Sequence, residues 1–364
     1  MRPCTVRSVK PALALVALAL SLFFGSGMML VQAASGAVES TEFGGQHYVR
    51  LSDWARQNYL DARWLARGEA LAVTNRSFRL EFQKDSKNAT FNGINVVLSY
   101  PIVMRNDAAF ISEFDLRMTL APLMSPPPPS SGTKIRTIVI DPGHGGKDPG
   151  FQVGPNQEKK YTLLLAQELR DQLKKAGFTV FLTRTKDVYV DLAARPEFAR
   201  QHSADLFISL HWNSATTGRE SVEGVQTYCV TPAGAPSSNE STDATDTSPQ
   251  PGNRNNDKSL FLAYELQKSI VQGAGADDRG VRRARFMVLT QAQMPAILIE
   301  GGYMSHPAES KRIYDPAYRR RMAQAIVDGV RAYKRQVELP PPPRDAGIAP
   351  SSRTSGSQSR GVGQ

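Results

Sequence analysis

From Thr137 to Val337 the chain alternates short, β-branched apolar runs with longer stretches of helical period, and no other feature constrains the fold class as strongly. The runs Thr137 to Ile140, Phe178 to Leu182, Leu206 to Leu210, Val225 to Val230 and Ala296 to Ile299 read as strands. Helices fit Glu158 to Lys175, Leu192 to His202, Ser259 to Gln272 and Pro316 to Val337. Leu165, Leu169 and Leu173 share one face of the first helix, which Gly177 closes, and Tyr318, Met322, Ile326, Val330 and Tyr333 form the stripe of the last. The alternation predicts an α/β domain whose mostly parallel, twisted sheet is flanked by helices. Ahead of it, residues 44–124 read as a small α+β domain of short strands, such as Ser77 to Phe82 and, after the turn Asn92-Gly93, Asn95 to Leu98. One helix is expected there over Asp53 to Leu65.

Prolines mark the boundaries. Residues 125–133, opening "SPPPPSSG", can join neither a sheet ladder nor a helix interior and read as a linker. Residues 134–338 form the α/β domain, and 339–364, rich in Pro, Ser, Gly and Arg, are expected to be disordered. Thr231 to Lys258 is polar and reads as a long flexible insertion. At the start, Arg2, Arg7 and Lys10 precede an uncharged, mostly apolar run from Pro11 to about Val31, and Val31-Gln32-Ala33 has the form of a signal cleavage site. Residues 1–33 therefore predict export, with an uncleaved membrane anchor as the alternative because the run is close to bilayer length. Only Cys4 and Cys229 are present, and Cys4 would leave with the signal, so the mature chain has no internal disulfide and its core must hold it together. Cys229, inside a strand-like run, reads as a small buried residue. The net charge of +10 suits an anionic wall or membrane surface, or serves solubility; its arginines do not form one compact patch with aromatics, and nucleic acid is not an expected partner.

Chemistry concentrates where strands run into loops at the edge where open α/β sheets build their sites. Ile138 to Gly150, "IVIDPGHGGKDPG", breaks a buried strand into a glycine-rich loop carrying His144, a candidate ligand. Asp141 there either orients His144 or stabilises the turn. Glu158 stands in the first helical turn, where a carboxylate also simply suits the helix dipole. His211 follows the apolar strand of "LFISLHWNSA", with Asn213 just beyond it. Glu300 ends the strand of "MPAILIEGGYMSHPAE" and is either buried and paired or catalytic. Two histidines and a carboxylate form a common protein ligand set for catalytic zinc, and a further glutamate supplies a general base and acid, which together suit amide hydrolysis. The helical His-Glu-x-x-His pattern is absent, so the site must be assembled from separate segments.

These four motifs, with "GVQTYCV" and "DDRGVRRARFMVL", resemble the zinc-dependent N-acetylmuramoyl-L-alanine amidases of the "amidase 3" type. The resemblance implies one zinc ion per chain held by His144, Glu158 and His211, catalysis by Glu300, and peptidoglycan as substrate in the periplasm or envelope. It implies Asn213 as a substrate contact and leaves Arg279 either meeting a substrate carboxylate or positioning its own loop, and some relatives need a protein activator. Trp212 stands where a small residue is common, and His306 where asparagine is common. The motifs "HYVRLSDWARQNY", "FNGINVVLSYPIV" and "FISEFDLRMTLAPL" resemble the N-terminal stalk domain of copper amine oxidases, which implies targeting or spacing. Two other readings stay open from the residues: a zinc endopeptidase or carboxypeptidase acting within the stem peptide, and a wall-binding or regulatory protein without catalysis.

Overall fold

The computed structural model describes residues 38–127, 134–239 and 248–338. The export segment, most of the proline linker (128–133), the centre of the polar insertion (240–247) and the tail (339–364) lie outside the described residues. No helix among those described is long and apolar enough to cross a membrane.

One sheet of eleven strands dominates. In spatial order it runs Thr179–Leu182, Thr137–Pro142, Leu206–Asn213, Ala296–Tyr303, Val225–Val230, Asp278–Ala284, Ile94–Val97, Asn88–Phe91, Arg79–Gln83, Ala70–Thr74 and Asp61–Ala66. The first four are parallel, as is the pair Val225–Val230 with Asp278–Ala284, and Val225–Val230 lies antiparallel to Ala296–Tyr303. Within 134–338 four of the five pairings in this sheet are parallel, as the alternation predicts, whereas the strands from Ile94–Val97 to Asp61–Ala66 pair antiparallel with one another, so the whole sheet is mixed. Helices Glu158–Lys175, Asn256–Ala274 and Pro316–Glu338 pack on one face over Ile138, Ile140, Ile208, Leu210, Ile297 and Ile299. Val139, Phe207, Tyr228, Val230 and Leu298 face the other way, toward Ala194–Gln201 and Met287–Thr290. Strands covered on both faces read as unbroken apolar runs, which is why they stood out. Each fully buried large side chain, such as Ile326 or Leu169, contributes roughly 1.5–3 kcal/mol.

Two strand ends extend past their apolar cores. Leu206–Asn213 and Ala296–Tyr303 continue beyond Leu210 and Ile299, which carries His211 and Glu300 to the sheet edge on rigid backbone.

The N-terminal region differs from expectation in two places, one of them the run Glu113 to Met124, which is helical where one helix alone is expected, at Asp53 to Leu65. The helix expected over Asp53 to Leu65 spans only Leu51–Gln57, and Asp61–Ala66 is a strand paired with Ala70–Thr74. Tyr59 adopts a left-handed backbone (φ 56) and Leu60 N–H returns to Ala55 O at 2.9 Å, so the chain turns where the apolar spacing alone suggested continuation. Asn92 (φ 50) and Gly93 (φ 79) form the tight hairpin turn their sequence encodes. Asp278–Ala284, too charged to read as a strand, pairs parallel with Ile94–Val97 through Val281 and Val96. The segments on either side of the proline linker therefore share one sheet.

Candidate functional site

The loop after Thr137–Pro142 is held from below by a buried network. Asp141, fully buried, accepts hydrogen bonds from Arg195 Nη1 (2.7 Å), Thr183 Oγ1 (2.6 Å) and Ser209 Oγ (2.8 Å). Arg195, 2 % exposed, also donates to the carbonyls of Pro142, His144 and Val190, each at 3.0 Å. Arg184 donates to Pro142 O (3.0 Å) and to Gly143 O and Lys159 O (both 2.8 Å). Together they fix His144 in a left-handed conformation, φ 61, that a residue with a side chain adopts only at a cost of roughly 1–2 kcal/mol.

His144 Nδ1 meets Asp148 Oδ2 at 2.8 Å, and its Nε2 lies 3.0 Å from Glu158 Oε1. His211 Nδ1 approaches the same oxygen at 3.1 Å, and the ligand atoms of the three residues lie within 4.8 Å of one another. Glu158 is 4 % exposed and opens its helix with no side-chain cap ahead of it; Phe151 N donates to its Oε2 (2.9 Å) and Trp212 N to its Oε1 (3.1 Å). Burial pushes the Glu158 carboxyl up, but the hydrogen bonds from His144 and His211 outweigh it and hold the group far below the usual carboxylate range. For His144, burial lowers the pKa, and the facing carboxylates of Glu158 and Asp148 reverse this and raise it to about 9. Glycine is required around the cluster: a Cβ at Gly143 would stand 2.3 Å from His211 Cε1, and one at Gly150 (φ +64) 2.6 Å from both Glu158 Oε2 and His144 Cδ2.

Glu300 pairs in register with His211 on one side and Gln226 on the other, so all three side chains share a sheet face. Burial raises its carboxyl to about 7, and its Oε2 is buried without a hydrogen-bond partner. His144, Glu158, His211 and Glu300 line one cleft of ≈ 350 Å³, walled by Leu192, Phe286 and Met287. Two imidazole nitrogens and a carboxylate oxygen converge beside an orphaned carboxylate oxygen, an arrangement that could hold a metal ion with one position open to the cleft. Asn213 also lines the cleft and donates to Gln226 Oε1 (3.1 Å), whereas Arg279 lies in a second cleft, its guanidinium 5.5 Å from the Tyr303 ring centroid.

Asp141 does not touch His144; Arg195 joins them, and Asp148 supplies the direct contact. Asp148 was legible as the carboxylate four residues after His144, but nothing local in the sequence marks Arg195 or Gln226. Trp212 is buried against Gly301, and His306 caps the helix Pro307–Tyr314.

Residues 138–332 match the family model described as N-acetylmuramoyl-L-alanine amidase. The chain is 35 % identical over 231 residues to the N-acetylmuramoyl-L-alanine amidase AmiC of Neisseria meningitidis, an overlap covering 57 % of this chain and 55 % of that one. It is 34 % identical over 209 residues to the probable cell wall amidase LytH of Staphylococcus saprophyticus, covering 57 % and 61 %. The match thus spans little more than half the length of these relatives. Among solved structures, the N-acetylmuramoyl-L-alanine amidase AmiC2 of Nostoc punctiforme aligns with 32 % identity and a TM-score of 0.47 over 56 % of this chain and 99 % of that one. By the extent of the family match, the chain belongs to the N-acetylmuramoyl-L-alanine amidase family.

Proposed function

We propose that this chain hydrolyses the amide bond between N-acetylmuramic acid and L-alanine in peptidoglycan, as a cell-wall remodelling enzyme acting in the periplasm or envelope. The carrying observation is the convergence of His144, Glu158 and His211 in one cleft with Glu300, whose Oε2 has no partner. The three converging residues would hold one zinc ion, a choice favoured by their nitrogen and oxygen donors. A zinc ion so held lowers the pKa of a bound water to roughly 7 and polarises the amide carbonyl.

Glu300 Oε2 takes one proton of the attacking water as the new carbon–oxygen bond forms, then delivers it to the nitrogen as the carbon–nitrogen bond breaks; the water's second proton passes from the new carboxyl group to the amine, leaving the muramic acid carboxylate and the L-alanine ammonium. A carboxyl raised to about 7 is suited to both halves of that transfer near neutral pH. Asn213, fixed by Gln226, orients the substrate at the cleft mouth. The N-terminal strands serve targeting or spacing, and residues 1–33 direct export; the relatives' names as wall amidases support that location. An activator protein would act on the cleft mouth.

Mass spectrometry of products from muropeptides treated with the full chain tests the reading. Release of peptides beginning at L-alanine, lost with a chelator and with Glu300→Ala, is the expected result. Cleavage inside the stem peptide would instead establish an endopeptidase or carboxypeptidase.

A further inference from the structure

We propose that the polar face of the N-terminal strands is a binding surface for the peptidoglycan polymer flanking the scissile bond, with Arg279 and Arg282 receiving free carboxylates of a stem peptide. The inference rests on the amidase reading above and extends it to a site outside the active-site cleft.

The register of the sheet carries the argument. Glu300 pairs with Gln226, and two residues along that strand Tyr228 pairs with Arg282, so all four point to one face. Val281 pairs with Val96, which turns their neighbours Arg282 and Asn95 to that same face. From Asn95 the register continues through Thr90, Glu81 and Ala72 to Arg63. Five inter-strand steps separate Glu300 from Glu81, about 24 Å, enough for several sugar residues. The opposite face of these strands carries Leu80, Phe82 and Val96 into the core, while on this face Asn95, Thr90, Glu81 and Arg63 are partly or fully exposed and Ala72 is buried.

A second cleft of ≈ 450 Å³ lies along this row, and Gln83, Asn88, Thr90, Asn95, Arg279 and Arg282 line it. Amides and a hydroxyl offer both donors and acceptors, which suits sugar hydroxyl and acetamido groups. Among the described residues Arg279 and Arg282 bond backbone carbonyls, those of Glu223, Arg279 itself and Ser238, and the buried Nε of Arg279 has no partner there. Among the described residues the nearby acids are engaged elsewhere: Glu81 pairs with Arg79, and Asp278 accepts from Asn95 N, Gln267 and Gly280 N. Arg279 and Arg282, in a groove that also holds amides, a hydroxyl and the already engaged carboxylates of Glu81 and Asp278, offer guanidinium groups to the acidic peptides of a glycan.

The test uses the full chain with Glu300→Gln, sedimented with insoluble peptidoglycan. Thr90→Trp fills the cleft; Gln83→Glu with Asn88→Glu, at exposed positions that leave the fold intact, adds repelling charge. Each is expected to weaken binding about tenfold, equivalent to about 1.4 kcal/mol. In the active chain the same substitutions should raise KM for the polymer more than for a soluble single-repeat muropeptide. Unchanged sedimentation in both variants, or equal effects on polymer and muropeptide, would overturn the proposal. If the unsubstituted chain hydrolyses neither substrate, the amidase reading fails by itself, while sedimentation still judges the cleft.

Discussion

Arg195→Met would strike the active-site loop while leaving the side chains of His144, Glu158, His211 and Glu300 unchanged. The substitution removes the cation paired with the fully buried Asp141, the only one among the described residues, and strips donors from the carbonyls of His144 and Val190. Breaking a buried pair costs roughly 3–5 kcal/mol, and the hydroxyls of Thr183 and Ser209 still serving Asp141 favour the lower end. Each carbonyl left dry adds roughly 1–3 kcal/mol, while Pro142 O keeps Arg184. A total of about 5 kcal/mol, from the low end of each range, is a large part of a typical stability of 5–15 kcal/mol, and corresponds to a fall in Tm of about 10–20 °C. His144, held at φ 61 by that contact, is then free to relax, and zinc affinity should fall with stability. Circular dichroism melts and calorimetric zinc titration measure the two losses. Adding Asp141→Asn removes the stranded charge and should recover part of the Tm but not the zinc affinity, because His144 O still lacks its donor. A single variant melting within 2 °C of the parent, roughly 1 kcal/mol or less, would refute the reasoning. Full recovery of zinc binding in the double variant would refute its second half.

Three further outcomes follow from the cleft. Glu300→Gln should lower kcat at least about 100-fold while zinc content by elemental analysis stays near one per chain, since the substitution removes the proton carrier and leaves the three converging ligands. Chelation should lower Tm, and added zinc should restore it in the parent but not in His144→Ala, as binding to the folded state alone stabilises it. Gly150→Ala should abolish tight zinc binding in a calorimetric titration because its Cβ would enter the Glu158 and His144 side chains. Gly154→Ala, on the same loop with nothing within 4 Å, should cost only backbone strain of roughly 1–2 kcal/mol and keep the metal.

The sequence carried the α/β half of the fold because its strands are buried on both faces and stand out as unbroken apolar runs between helical stripes. His144, His211 and Glu300 were found as polar residues closing such runs, and the structure brings them around one cleft with Glu158. The hidden parts share a physical cause: they depend on partners remote in the chain. Asp278–Ala284 carries four charges in seven residues and becomes a strand only through neighbours on both sides. The apolar spacing of Asp53 to Leu65 fits a helix, yet Trp64 pairs with Leu71 across a hairpin that local periodicity cannot encode. Arg195 looks like an ordinary basic residue on a short helix until the fold seals it against Asp141.

The parallel pairing of Ile94–Val97 with Asp278–Ala284 joins segments some 183 residues apart, as the bonds between Asn95 and Asp278 record. Such a closure is slow, because the entropy of a long loop is lost before any ladder bond forms. While the chain emerges in order, the N-terminal meander is made early and keeps Ile94–Val97 with one edge unpaired until more than three-quarters of the sequence has appeared. An open rim of that kind recruits other strands, so nascent copies of this protein are most exposed to aggregation at this seam. The strand Asp278–Ala284 thus seals the border between the two halves of the sheet.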